Sequence, residues 1–391
     1  MHTSLLSILH ISDFHFTKRK SRDQQVVIDA LIDDLEQLCI GHRRPDLVIF
    51  SGDLVNWGGV DSHAGAYDFL LARVAEATGC SDERMFIAPG NHDLSQAAVT
   101  ASKAEHQEWR AAAGDANAMN SLFDGNAFEE IAQKKFEAYF ELERYLSDGS
   151  LRHRNQFASV YWIAALNIDI VVLNTAMLSV GGHKEFPPDE GLLAVPEYAL
   201  LDAARALTQG SYRVYVTHHP FNMLSESAAR ILRRSIEENA HVHLYGHMHD
   251  PESRNSVGFR GQLFSDQAGA VFTQRTQAYI GYSLISVDRT TGYYETHLRT
   301  YFDDRKAFDE ARDVVTNGKF YSSQEASQFW RKVATPIDDS AFRKHLAGTA
   351  LDAFTAEMKE NESDWEAHEL FVPPPMKRTP NQSVAGDGLK S

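Results

Sequence analysis

Five short apolar runs in this chain each lead straight into histidine, aspartate or asparagine. Leu5–Ile11 runs into Asp13-Phe14-His15, and Asp46–Ser51 into Gly52-Asp53. Met85–Ala88 leads to Gly90-Asn91-His92-Asp93, and Arg213–Thr217 to His218-His219-Pro220. His241–Tyr245 leads to Gly246-His247-Met248-His249. Short apolar runs bounded by glycine and polar turns read as buried strands. In open α/β sheets ligands bind beyond the carboxyl ends of the strands. The five strand ends are therefore expected to deliver oxygen and imidazole groups to one rim.

The stretches between these runs carry helical periodicity, notably Asp23–Leu38, Ala66–Ala77, Glu197–Ala206 and Ala228–Asn239. Val160–Ile163 and Ile168–Asn174 read as paired strands, and Ala270–Thr273, Tyr279–Val287 and Tyr293–Tyr301 as antiparallel ones. A mostly helical insertion occupies about 94–150, with Ala127–Leu146 its clearest helix. This order predicts an α/β sandwich, its sheets covered by helices. Beyond Asp303 the pattern changes. Lys306–Val315, Gln324–Val333, Ser340–Leu346 and Thr349–Lys359 read as short helices, almost free of metal-ligand chemistry. The expected organisation is a core over 1–303, a helical extension over 304–371 and a Pro-rich, flexible tail over 372–391.

Carboxylate and amide oxygens mixed with neutral imidazoles suit manganese, iron or zinc. One carboxylate can bridge two cations, and two metals roughly 3.5–4 Å apart can clamp an in-line phosphoryl displacement. Each motif alone has an ordinary structural reading. Asp13 could cap a turn, His15 could pack beside Phe14 and Phe16, and Asp53 could simply end a strand. Gly90–Asp93 could be a plain turn. Five such coincidences, in order and each after a strand, are not a reasonable alternative to a metal site. His10, His241 and His243 lie within strands and read as structural, and Asn56, His63 and His183 fall on loops that reach toward the rim or lie on the surface.

Taken as an ordered set, Asp13-x-His15, Gly52-Asp53, Gly90-Asn91-His92-Asp93, His218-x-Pro220 and Gly246-His247-x-His249 resembles the calcineurin-like metallophosphoesterase family over roughly residues 5 to 300. The resemblance implies a four-layer α/β/β/α sandwich holding two divalent metal ions. It implies that Asp13, His15 and His249 hold the first metal, that Asp53 bridges, and that Asn91, His218 and His247 hold the second. His92 resembles the histidine that stabilises the phosphoryl oxygen or protonates the leaving group, with Asp93 orienting it by accepting its ring proton. The implied reaction is attack of a metal-bound hydroxide on a phosphoester. His219, facing away from His218 on the same strand, and Asn56 are candidates for touching substrate.

Protein phosphatases of the superfamily carry a glycine after Asp-x-His, an Asp-Arg-Gly after the second motif, and Gly-Asn-His-Glu. This chain has Phe16, Leu54-Val55-Asn56-Trp57-Gly58 and Asp93 in their places. It is closer to the branch of cyclic-nucleotide and glycerophosphodiester phosphodiesterases, and a nucleotide-like phosphodiester is the expected substrate. The alternatives are a DNA exo- or endonuclease, with Arg152–Arg154 and the insertion lining a groove, and a silent scaffold. A net charge of −16 opposes a long nucleic-acid footprint but not a short single-stranded end. Only Cys39 and Cys80 are present, which points to a reducing cytoplasm, and no apolar run is long enough to predict a membrane span. The C-terminal helices are the expected surface for a second copy or a regulatory partner.

Overall fold

The computed structural model describes residues 5–17, 22–41, 44–273 and 279–322. The chain begins with β1 (Leu5–Ile11), α1 (Arg22–Gly41) and β2 (Leu47–Phe50). Helix α2 (Val60–Ala66) continues through a π-helical turn, Tyr67–Leu71, into α3 (Ala72–Thr78), and β3 (Met85–Ile87) follows. The insertion forms α4 (Gln96–Ala101), α5 (Lys103–Ala112), α6 (Ala116–Asp124), α7 (Glu129–Lys135) and α8 (Glu137–Ser147). Then come β4 (Leu151–Arg154), β5 (Ala158–Ile163), β6 (Ile168–Leu173), α9 (Glu197–Arg205), β7 (Tyr212–Val216), α10 (Glu226–Asn239) and β8 (Val242–Tyr245). Six strands close the described chain: β9 (Glu252–Gly258), β10 (Gly261–Gln267), β11 (Gly281–Asp288), β12 (Tyr293–Phe302), β13 (Ala307–Glu310) and β14 (Lys319–Tyr321).

Two seven-stranded sheets result, ordered β13-β12-β11-β1-β2-β3, with β14 also on β12, and β4-β5-β6-β7-β8-β10-β9. The central strands are parallel, β1 with β2 and β2 with β3 in one sheet, and β6 with β7 and β7 with β8 in the other. Such strands are buried on both faces, which explains their unbroken apolar runs. Side chains alternate across a strand, and here alternate residues enter two different cores. Ile8, Leu47, Ile49, Ile170, Val172, Val214 and Leu244 pack together between the sheets. Leu9, Ile11, Val48, Phe50, Val171 and Leu173 join Ile28, Leu31, Leu200 and Leu232 of the helices instead. That is the four-layer α/β/β/α sandwich.

Three expectations change. Ala270–Thr273 is not an antiparallel strand, since only Ala270 pairs, in an isolated parallel bridge to Ile280. Ala127–Leu146 is two helices, because the chain turns at Phe136 (φ −116°, ψ 24°) between α7 and α8. Lys306–Val315 is not a helix. Ala307–Glu310 pairs antiparallel with β12, and buried Phe308 packs on Tyr282 and Tyr301, so the first sheet continues past residue 303. The open edge of β12 offers hydrogen bonds that an isolated short helix could not match. The β9–β10 hairpin carried no apolar signal in β9, which is exposed along most of its length. The expected helices from Gln324 onward, and the tail, lie outside the described residues. No helix among the described residues is long and apolar enough to cross a membrane.

Candidate metal centre

The loops after β1, β2, β3, β7 and β8 meet at one rim, and their backbones are bent to do so. Non-glycine residues with positive φ number nine among the described residues. Five of them are Asp13 (55°), His15 (49°), Asp53 (56°), His247 (73°) and His249 (58°). Each such conformation costs on the order of 1–3 kcal/mol and persists only where its surroundings hold it. Here they do: Asp13 and His15 donate their amides to Gly52 O (2.9 Å) and Asp53 O (3.0 Å). The amide of His247 donates to Asp13 Oδ2 (3.0 Å) and that of His92 to Asp53 Oδ1 (2.7 Å). Gly90 is required by close approach, since a Cβ there would overlap the Asp53 carboxylate.

The side chains fall into two sets. In the first, His249 Nε2 lies 3.1 Å from Asp13 Oδ1 and 3.3 Å from His15 Nε2. In the second, Asn91 Oδ1 lies 3.0 Å from His247 Nδ1 and 3.1 Å from His218 Nε2, and the two ring nitrogens are 3.3 Å apart. Asp53 Oδ2 faces both sets, 3.3 Å from His218 Nε2 and 4.0 Å from His15 Nε2. Metal–nitrogen bonds of about 2.0–2.1 Å put neighbouring donors on one ion roughly 2.9–3.4 Å apart, so this spacing suits a cation. Facing imidazole nitrogens beside carboxylates have little reason to converge otherwise. His218 Nδ1 donates to Ser51 O (2.9 Å), which orients the ring so that Nε2 is the nitrogen aimed into the cluster.

Charge follows from burial and proximity. Burial alone would raise the Asp13 carboxyl, but the His249 hydrogen bond and the charges of His218 and His249 hold it well below the usual carboxylate range. Burial opposes ionisation of Asp53 too, and His218 outweighs it. Burial works against protonation of His218, yet Asp53 and Asp13 push it up to about 9. Burial brings His15 down to about 4, and burial with His218 brings His247 down to about 4, both in the neutral form a metal ligand needs.

His92 joins the cluster, its ring 4.8 Å from that of His15. Its orientation differs from expectation. His92 Nδ1 faces the backbone carbonyl of Asn56 at 3.2 Å, whereas the Asp93 carboxylate is turned away. Asp93 Oδ2 accepts from the amides of Gly90 (2.8 Å) and Asp53 (2.9 Å), and Oδ1 from that of Val55 (3.0 Å). Fully buried, it ties the second and third motifs together, and Asn56 O, not Asp93, accepts from the His92 ring. Burial and the neighbouring Asp53 raise it to about 7.

His219 does not face away either. The chain has left β7 by Val216, so strand alternation no longer applies. Its buried ring lies 4.7 Å from that of His247, with Nδ1 on Thr175 Oγ1 at 3.0 Å. His63 is buried on α2, not on a surface loop, with Nε2 3.7 Å from Asp93 Oδ1. His183 contacts Thr100 Oγ1 at 3.2 Å, within the insertion's surroundings. The carbonyls of Ser51 and Asn56 were beyond sequence reasoning, because backbone groups leave no residue-type signature, and so was the Thr175 hydroxyl, which only the fold brings to His219.

The model of one family, described as calcineurin-like phosphoesterase, matches residues 6–251, well over half of the chain. The chain belongs to the calcineurin-like phosphoesterase family. The Asp/His groups above are ones that could hold a metal ion. An uncharacterized metallophosphoesterase-like protein of Bacillus subtilis, YydB, is 23% identical over 309 residues, 75% of this chain. The chain spans 58% of that relative's length. Similar solved structures include a phosphatase of Mycoplasma pneumoniae (13% identity, 78% of this chain and 97% of that one, TM-score 0.39). Zinc-complexed Vps29 of Entamoeba histolytica is another (12% identity, 78% of this chain and 96% of that one, TM-score 0.32).

Proposed function

We propose that this calcineurin-like phosphoesterase is a dinuclear-metal phosphodiesterase. The observation that carries it is Asp53, whose Oδ2 faces a nitrogen of either ligand set. In this reading Asp13, His15 and His249 would hold one divalent ion, Asn91, His218 and His247 the other, and Asp53 would serve both. Ions bound there supply an activated water and neutralise charge on the phosphoryl group; manganese, iron and zinc all suit the donors.

The remaining steps belong to this chain's own side chains. His92 donates Nδ1–H to Asn56 O, so the proton it can give is on Nε2. The ring is thereby aimed to protonate the departing alkoxide. Among the described residues no lysine or arginine is a hydrogen-bond or ion-pair partner of Asp13, His15, Asp53, Asn91, His92, His218, His247 or His249. A monoester dianion usually calls for cationic clamps, and Asn56-Trp57-Gly58 stands where the protein phosphatases carry Asp-Arg-Gly, which favours a singly charged diester. The nuclease alternative drew on Arg152 and Arg154. Arg154 is committed to Glu143 (2.7 Å), Arg152 lies over Trp162, and both sit on the edge strand β4.

The test is metal analysis of the purified protein followed by a panel of diesters, monoesters, cyclic nucleotides and single-stranded DNA. About two transition-metal ions per chain and preference for a diester sustain the reading. A metal-free protein, or a monoesterase, ends it.

A further inference from the structure

The loop between the second motif and α2 carries a feature the metal chemistry does not use. Trp57 is 50% exposed, while its ring lies 5.8 Å from that of His92. Its backbone is pinned on both sides. Asn56 N donates to Phe16 O (3.0 Å) and Gly58 N to Leu94 O (3.1 Å), and Asn56 O meets His92. Gly58 is pressed so closely on the Asp93–Leu94 backbone that a Cβ there would overlap it. The loop therefore clasps the segments bearing His15 and His92, and the indole is held outward at the mouth of the site. Of the other described tryptophans, Trp109 is buried and Trp162 is partly buried under Arg152. Leaving half of an indole in water forgoes burial that would stabilise the fold. Its position beside the group that protonates the leaving oxygen gives that exposure a use.

Resting on the phosphodiesterase reading, we propose that Trp57 is a specificity-determining residue that stacks on the base of a nucleoside leaving group. A planar base departing past His92 meets the indole face. Another exposed apolar side chain, Met248, lies between His247 and His249. It offers polarizable contact without a ring. Two substrates share this chemistry, a small nucleotide diester and a single-stranded nucleic-acid end.

Wild type, Trp57→Ala and Trp57→Phe, each loaded with manganese, would be assayed on a cyclic nucleotide, a single-stranded dinucleotide and glycerophosphoethanolamine. Base stacking on an aromatic side chain is lost on alanine substitution by roughly 5- to 150-fold in binding. The ratio of kcat/KM for the base-bearing substrate over glycerophosphoethanolamine should fall by about tenfold or more in Trp57→Ala, mainly through KM, and recover largely in Trp57→Phe. Whichever nucleotide arm shows the fall identifies the source. A uniform loss on all three substrates, or an unchanged ratio, overturns the proposal and leaves Trp57 as support for His92 or a protein contact. If wild type hydrolyses no diester, the underlying reading fails, and adenosine binding decides the stacking separately. Quenching of fluorescence in wild type but not in Trp57→Phe sustains it, and equal quenching in both, or none, rejects it.

Discussion

The backbone carbonyl of Asn56 lies 3.2 Å from Nδ1 of His92. The histidine that is proposed to deliver the leaving-group proton is thus aimed by a main-chain oxygen, which substitution of a side chain does not remove. His92→Ala should lower kcat by about 10²- to 10⁴-fold, the range of a lost general acid, with metal content unchanged. Asn56→Ala should cost far less, because the carbonyl stays. Comparable losses in the two variants would show that the Asn56 side chain, not its backbone, does the positioning.

Asp53 faces both ligand sets, so its removal should cost metal as well as rate. Asp53→Ala is expected to drop the metal content of the purified protein below that of wild type and to abolish turnover. Elemental analysis of the two proteins, prepared side by side, decides it; full metal content in the variant contradicts a bridging role.

Asp93 is a buried clamp on three backbone amides of two motifs. Asp93→Ala strands those donors, each costing about 1–3 kcal/mol. A total loss of about 3–5 kcal/mol is expected, the upper range for single substitutions, read as a fall in the urea midpoint. A loss under about 1 kcal/mol would mean that water replaces the carboxylate without penalty.

Lys135, buried in the insertion, donates to Met177 O (2.7 Å), Ser179 O (2.5 Å) and His106 Nε2 (2.9 Å). Burial lowers its ammonium to about 7. Between about 7 and the free-lysine value near 10.4 the unfolded chain binds more protons than the folded one, so this residue makes stability rise with pH across that window. The slope approaches about 1.4 kcal/mol per pH unit at most. Lys135→Met should flatten it and destabilise the protein by about 2–4 kcal/mol at neutral pH, through the two orphaned carbonyls. Urea titrations at pH 7, 8 and 9 measure both effects.

Metal removal should lower stability, because an ion binds the folded ligand array and not the unfolded chain. At a thousand times its dissociation constant an ion contributes about 4 kcal/mol. Dialysis against a chelator should therefore lower Tm by several degrees, and added manganese or zinc should restore it. A Tm indifferent to chelator and metal alike would leave the five left-handed residues without their proposed purpose.

That Asp13, His15, Asp53, Asn91, His218, His247 and His249 would meet at one rim was legible in the sequence, because their chemistry is written in residue type and order. The two-core sandwich was legible for a similar reason, since the parallel strands are apolar throughout. Beyond Asp303 the sequence misled, because the strand Ala307–Glu310 exists only where β12 offers it an edge. His92 and Asp93 are neighbours in the chain, yet only the fold assigns one to Asn56 O and the other to three amides. Likewise it sets His219 against Thr175 and holds Trp57 outward at the rim. Side-chain chemistry and periodicity are local and can be read along the chain. Backbone acceptors, and the direction a residue takes once its strand has ended, are fixed by groups tens to hundreds of residues away.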